Sequence, residues 1–309
     1  MEDPGTTALF VGLGRMGGPM VRRHRAAFDT VVSDRDFEAA ARLAEEEGLR
    51  SPVDLADLPV GIGTVVLMLP DSRAVESVLL GDGATGLLAR LPEGALVIDM
   101  GSSEPAGTRR LARVAAERGI GYVDAPVSGG VTRAVTGELA IMAGGSDGDV
   151  ARARPHLEPM GGCIMHVGPT GSGHAAKALN NLLSATNLAA AAEILCVAQA
   201  EGIDPAVMVE VINSSTGRSQ ATEVKYPQHV LTGTFASGFA MDLMLKDLGI
   251  AHRLAEEDGV ATPITASTVA TLTEARRVLG RDGLDHTALV QYYEQLNHAL
   301  LRHPERNDA

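Results

Sequence analysis

The chain has 309 residues, 45% of them hydrophobic and 21% charged, with a formal net charge of −13, 35 Gly, 2 Cys and no Trp. That length suggests two domains, because single cores stop growing at ~250–300 residues, and the apolar fraction excludes wholesale disorder. The acidic balance argues against nucleic acid or anionic lipid as a partner, and Cys163 and Cys196 cannot make a disulfide framework or a Cys-rich zinc site.

The opening Met1-Glu2-Asp3-Pro4 lacks the basic and apolar regions of a targeting segment. The longest strongly apolar run, Val65 to Leu69, is far below the ~20 residues of a membrane-spanning helix. A reducing cytoplasmic location, with no membrane partner, is therefore expected. Ala8 to Val11 reads as a buried strand followed by a glycine turn. Thr30 to Asp34 reads as a second strand, and Phe37 to Glu47 as a helix ended by Gly48. Thr64–Leu69, Ala95–Asp99, Tyr122–Asp124, Leu139–Met142 and Ile164–Val167 continue the series. Unalternated apolar runs bounded by turns are what strands buried on both faces look like. Their alternation with helical stretches implies βαβ units and a mostly parallel sheet.

After Gly173 the pattern changes. Leu179, Leu182, Leu183, Thr186, Ala190, Ile194 and Val197 recur at three- and four-residue spacing, which predicts a long helix over His174 to Ala200. Asp204-Pro205 starts another, with Asp as cap and Pro in the first turn. Further helices are expected over about 239–258, 263–279 and 285–302. The fold class is thus an α/β Rossmann-type N-terminal domain with a mostly parallel sheet, over 1–168, and an all-α C-terminal domain over 169–309. A connecting helix over about 171–200 joins them. The glycines agree, since 27 of the 35 fall in residues 1–173.

Gly12-Leu13-Gly14-Arg15-Met16-Gly17 follows the first strand and opens a helix. Its glycines allow a tight turn, close approach of a pyrophosphate and close helix–strand packing, while the helix N-terminus offers N–H groups to the phosphates. Asp34, at the end of the second strand, completes the dinucleotide pattern. Its carboxylate suits the ribose hydroxyls of NAD, whereas the neighbouring Arg35 could pair with the 2′-phosphate of NADP. Leu69-Pro70 and the loop Asp99-Met100-Gly101-Ser102-Ser103 end further strands, where ligands bind in such sheets. Asp124-Ala125-Pro126-Val127-Ser128-Gly129-Gly130 reads either as an anion nest for a carboxylate or as a generic turn.

Of the 26 basic residues only Lys177, Lys225 and Lys246 are lysine. Lys177 and Asn181 stack one turn apart on the long helix, a face that continues to Ser184. That face reads either as a solvated flank or as a site, because Lys, unlike Arg, can exchange a proton once burial lowers its pKa. Lys246-Asp247 reads either as a second such position or as a surface ion pair. The nine His show no metal-ligand spacing, so no metal is expected.

Together these motifs resemble the β-hydroxyacid dehydrogenase family, from Phe10 to about Leu289. Phe10 to Met20 is similar to its opening signature, Asp124 to Gly130 to its substrate loop, Gly171-Ser172-Gly173 with Lys177 and Asn181 to its catalytic helix, and Phe239 to Leu248 to its cofactor-closing helix. The resemblance implies Lys177 as the catalytic acid–base with Asn181 beside it. It also implies Ser128, Gly129, Gly130 and Lys246 around the substrate. Gly12, Leu13, Gly14, Arg15, Met16, Gly17, Asp34, Arg35, Leu69, Pro70, Ser102 and Lys246 would then lie along the cofactor. Two departures stand out: Gly101 where the family usually has Ser, and Gln220 where some 3-hydroxyisobutyrate enzymes carry Trp. The implied activity is NAD-dependent oxidation of a small anionic 3-hydroxy acid to its semialdehyde, in a homodimer or homotetramer. The alternatives are NADPH-dependent reduction of tartronate semialdehyde, succinic semialdehyde or glyoxylate on the same fold, and a non-catalytic NAD-binding module.

Overall fold

Aliphatic and β-branched runs between turns make the strands of the first half of the chain. The computed structural model describes residues 7–302 apart from 51, 56 and 84. In order these give β1 (Thr7–Val11), α1 (Gly17–His24), β2 (Thr30–Ser33), α2 (Phe37–Glu47), β3 (Ile62–Leu67), α3 (Ser72–Leu80), β4 (Leu96–Asp99) and α4 (Pro105–Ala116). There follow β5 (Gly121–Asp124), β6 (Val127–Ser128), α5 (Gly130–Thr136), β7 (Leu139–Gly144), α6 (Asp147–Leu157) and β8 (Gly161–Gly168). The sheet order is β2-β1-β3-β4-β5-β7-β6, with β8 pairing β7. The first five strands are parallel; β7 runs antiparallel to β5 and β6.

Alternate residues divide between two apolar clusters, because successive side chains leave a strand on opposite faces. Phe10, Val32, Val66, Ile98 and Val123 pack on one side with Met20 of α1. Leu9, Val31, Val65, Val97 and Tyr122 pack on the other with Val75 and Leu79 of α3. Each fully buried aliphatic side chain contributes ~1.5–3 kcal/mol. The chain winds one way from β1 to β2 and the other way from β1 to β3, so the strand order reverses beside β1. Such a reversal opens a crevice beyond the carboxyl ends of the strands, where ligands bind in open α/β sheets. Here the glycine loop lies there.

The remainder is helical: α7 (Ser172–Ala200), α8 (Pro205–Asn213), a π-helix over Ala221–Val230, α9 (Met241–Glu257), α10 (Pro263–Leu279) and α11 (Leu289–Asn297). The Asp204 carboxylate caps α8 by accepting from Ala206 N and Val207 N. The described residues fall into two compact units, one ending at Lys177 and one beginning at Ala178. The expected boundary after residue 168 coincides with the end of β8, and the first turns of α7 belong to the first unit.

The long helix forms as predicted, but its apolar stripe faces outward. Leu179, Leu183, Ile194 and Val197 are 49–62% exposed, whereas Ala185, Leu188, Ala189, Ala192, Leu195 and Cys196 enter the core of the helical unit. Small residues win the buried face because they let neighbouring elements approach closely. By length and composition α7 would also suit a membrane span, yet 56% of its most apolar window is buried inside the protein.

Candidate active site

The glycine loop joins β1 to α1. A Cβ on Gly17 would collide with the Gly12 carbonyl oxygen, so the third glycine is needed where the helix starts against the turn. A Cβ on Gly14 would meet nothing within 4 Å, so the ground above the loop is open. No side chain caps α1 and its first turn holds no acidic residue, which leaves backbone N–H groups and a positive dipole end facing that space. Asp34 lies just past β2. Its Oδ2 accepts from Leu13 N at 2.6 Å and its Oδ1 from Asp36 N at 2.8 Å, so the carboxylate also braces the loop. Arg35 is exposed beside it, as are Gly14 and Arg15; Leu13 and Met16 are half-buried. This arrangement fits the pyrophosphate and ribose of a dinucleotide.

Leu69 and Pro70 lie beyond β3, and Ser102, half-buried, beyond β4. A Cβ on Gly101 would stand 2.6 Å from the Leu69 carbonyl oxygen. The departure from Ser at this position therefore has a physical cause, since the two loops touch there. Ser128 ends β6, and Gly129 and Gly130, both exposed, follow with φ of 132° and 68°. That is a backbone only glycine adopts readily.

Beneath the start of α7 lies a buried polar network that the sequence did not reveal. Asp99 and Asp124 end adjacent strands as direct register partners, and both are fully buried. Asp124 Oδ1 accepts from Gly171 N at 2.7 Å and its Oδ2 from His174 N at 2.9 Å. It thereby caps α7 from another element. Asp99 accepts from Gly101 N at 3.1 Å and from Ser103 Oγ and Tyr122 Oη, each at 3.3 Å. His174 is wedged between them, with Nε2 3.8 Å from Asp99 and Nδ1 3.9 Å from Asp124. The Thr108 hydroxyl donates to the Glu104 carbonyl, so His174 Nδ1 donates to Thr108 Oγ1 at 2.8 Å. Burial raises the Asp124 carboxyl pKa despite its two backbone donors, and burial, with Asp99 next, pushes Tyr122 well up. Gly173 fits only because it lacks a side chain, since a Cβ would meet the Met142 and Asp124 carbonyls. The Gly-Ser-Gly ahead of Lys177 is thus a packing requirement of this cap. Two aspartates ending neighbouring strands were the available signal, since like charges in register are costly without extra partners.

Lys177, half-buried, stands one turn beyond this cap on α7. Asn181 follows four residues on, on the same helical face. In the helical unit Asn181 is buried, and its Nδ2 donates to Asp247 Oδ2 at 2.6 Å. Lys246 Nζ lies 3.7 Å from the other oxygen of Asp247. Asp247 is 1% exposed, so this is no surface ion pair: the carboxylate joins two residues singled out by sequence. One turn further along α7, Ser184 Oγ accepts from Lys225 Nζ at 2.7 Å. Among the described residues no group of three or more His, Cys, Asp or Glu side chains is placed to hold a metal ion.

A sequence profile of the NAD-binding domain of 6-phosphogluconate dehydrogenase matches residues 7–168. The profile of the NAD-binding domain of NADP-dependent 3-hydroxyisobutyrate dehydrogenase matches residues 171–293. The chain is 38% identical over 287 residues to 2-(hydroxymethyl)glutarate dehydrogenase of Eubacterium barkeri, covering 93% of this chain and 94% of that protein. It is 37% identical over 298 residues to 3-hydroxyisobutyrate dehydrogenase of Pseudomonas aeruginosa, covering 93% and 98%. Among solved structures, Mycobacterium tuberculosis 3-hydroxyisobutyrate dehydrogenase with L-serine is similar with a TM-score of 0.82 and 31% identity, covering 93% of this chain and 99% of that one.

Proposed function

The chain belongs to the β-hydroxyacid dehydrogenase family, and from that premise we propose that it oxidises a small 3-hydroxy acid to its semialdehyde with NAD, using Lys177 as the acid–base group. That it is an NAD(P)-dependent oxidoreductase acting on CH–OH follows from the family. The observation that carries the finer reading is the construction around α7: Asp124 caps the turn ahead of Lys177, and Asp247 orients Asn181 one turn later.

Bound NAD would accept hydride from the carbinol carbon. The chain's own residues then have three tasks. N–H groups and the hydroxyl at Ser128–Gly130 hold the substrate carboxylate as a nest. Neutral Lys177 takes the hydroxyl proton as it leaves, and in the reverse direction protonated Lys177 returns it to the aldehyde oxygen. Asn181, its amide fixed by Asp247, holds the substrate oxygen beside Lys177. Asp34 supports NAD over NADP, since both its oxygens already accept backbone N–H bonds and it would repel a 2′-phosphate.

The relatives named for 3-hydroxyisobutyrate and 2-(hydroxymethyl)glutarate support a substrate with a hydroxymethyl group next to a carboxylate. Initial rates with NAD and with NADP over a panel of such acids test the reading. No turnover with any of them overturns it. The outward stripe Leu179, Leu183, Ile194 and Val197 supports homo-oligomerisation, which light scattering checks.

A further inference from the structure

The proposed chemistry leaves one buried ring of the first compact unit unused. The His174 side chain is fully buried, three residues before Lys177 on α7. Its backbone N–H completes the Asp124 cap whatever side chain stands there. The ring itself donates to Thr108 of α4, and its Nε2 has no hydrogen-bond partner among the described residues. A buried ring nitrogen without a partner costs stability, and an aliphatic side chain of similar size would fill the space without that cost. Stability alone therefore does not account for a polar ring here; what the ring holds does.

It bears on both sides of one loop. Asp99 accepts from Gly101 N and Ser103 Oγ, the residues flanking Ser102 in the loop expected along the cofactor. That loop leads into α4, which carries Thr108. His174 Nδ1 donates to Thr108 Oγ1 at 2.8 Å while Nε2 faces Asp99 at 3.8 Å. Two backbone N–H groups on the Asp124 carboxylate fix where α7 starts but act as a pivot. The ring seated against Thr108 fixes the rotation of α7 about its axis. Residues three apart share a helical face, so that rotation decides where Lys177 points.

We infer that His174 is a positioning residue, a buried strut that keeps the Lys177 amine in register with the cofactor loop at Ser102. The inference rests on the dehydrogenase reading above and deepens it. Hydride leaves the carbinol carbon and the proton leaves its oxygen, so the two acceptors must be held at a fixed separation. A misplacement of ~1 Å can cost ~10²-fold in rate.

The test uses His174→Leu, His174→Asn and Thr108→Val in the full chain. Single turnovers with enzyme and NAD in excess over 3-hydroxyisobutyrate give a rate constant for NADH formation that does not depend on the folded fraction. His174→Leu should lower it ~10- to 100-fold, and Thr108→Val, which removes the acceptor, should lower it in the same direction. His174→Asn keeps an N–H donor near the position of Nδ1 and should recover part of the loss. NADH affinity should stay near that of the wild type, as expected when positioning and not cofactor binding is lost. A fall smaller than ~10-fold in His174→Leu overturns the proposal, whatever its melting temperature does, because the ring then serves packing alone. So does a His174→Asn variant no faster than His174→Leu. Trace acetylation reads Lys177 without turnover, with Lys225 and Lys246 as internal standards. His174→Leu should shift the relative reactivity of Lys177, and His174→Asn should shift it back. If the wild type oxidises no hydroxy acid while that shift holds, the dehydrogenase reading fails and the strut stands. If the wild type turns over and neither the rate constant nor the reactivity moves, the strut alone fails. No turnover and no shift overturn both.

Discussion

Acid should weaken the nucleotide-binding unit through a histidine pair remote from the glycine loop. Thr64 Oγ1 contacts His156 Nε2 at 3.2 Å, His156 Nδ1 contacts His24 Nε2 at 3.0 Å, and His24 Nδ1 contacts Thr30 Oγ1 at 3.0 Å. Thr30 donates its own proton to the Phe28 carbonyl, which fixes the direction of the whole chain. His24 then donates to Thr30 and accepts from His156, and His156 accepts from Thr64. Both imidazoles are neutral in this arrangement. A further proton on His24 Nε2 would oppose the N–H of His156. Phe28 stacks on both rings, with centroids at 4.9 and 4.1 Å. Burial, with His156 next, lowers His24 to about 3, and burial lowers His156 to about 4. The unfolded chain therefore binds protons more readily than the native one. Stability from this pair is complete above ~6.5 and is lost as pH falls toward the folded values. Each pH unit costs ~1.4 kcal/mol per histidine, so at pH ~5 the pair forfeits ~4 kcal/mol. Urea denaturation at pH ~7.5 and ~5 should show that loss in the wild type and its absence in His24→Gln/His156→Gln. Equal losses in the two proteins would refute the reasoning.

Three further outcomes follow from the site. Lys177→Ala should cut kcat by ~10²–10⁴ with NADH affinity nearly intact, measured by steady-state kinetics and fluorescence titration. Lys177→Arg should fare no better, because a guanidinium keeps its proton. Asp34→Ser should shift the NAD:NADP ratio of kcat/KM toward NADP by ~10- to 150-fold, the worth of a charged hydrogen bond. Asp124→Ala leaves two buried donors at the start of α7 without their acceptor, so calorimetry should show a loss of ~2–6 kcal/mol. A loss below 1 kcal/mol would mean that the cap is dispensable, a judgement set by the ~1–3 kcal/mol expected per donor.

Much of this was legible in the residues because the patterns were local. The strands of the sheet, the glycine loop and the cap of α8 each depend on a few neighbouring side chains. What depended on tertiary pairing was not. Periodicity found α7 but not its buried face: Leu179, Leu183, Ile194 and Val197 are exposed, since hydrophobicity alone does not say which face a partner element covers. Asp247 read equally well as half of a surface pair, and only its burial against Asn181 assigns it a task. His174, three residues before Lys177, carried no signal at all, because its partners Asp99 and Thr108 come from β4 and α4.

The π-helix over Ala221–Val230 is the most consequential of these omissions. Pro227 inside it reads as a breaker, because proline lacks the N–H that an α-helical ladder needs and clashes with the preceding turn. The wider π register accommodates it, and Tyr226 next to it is fully buried with its hydroxyl on the Leu188 carbonyl at 2.8 Å. That anchor ties the segment to α7 at one point, and Lys225, its immediate neighbour, ties it at Ser184. A π turn in a helix often marks a functional position, where regular geometry has been given up for the placement of a side chain. Here the side chains so placed are Lys225 and Tyr226, which reach Ser184 and the Leu188 carbonyl of α7.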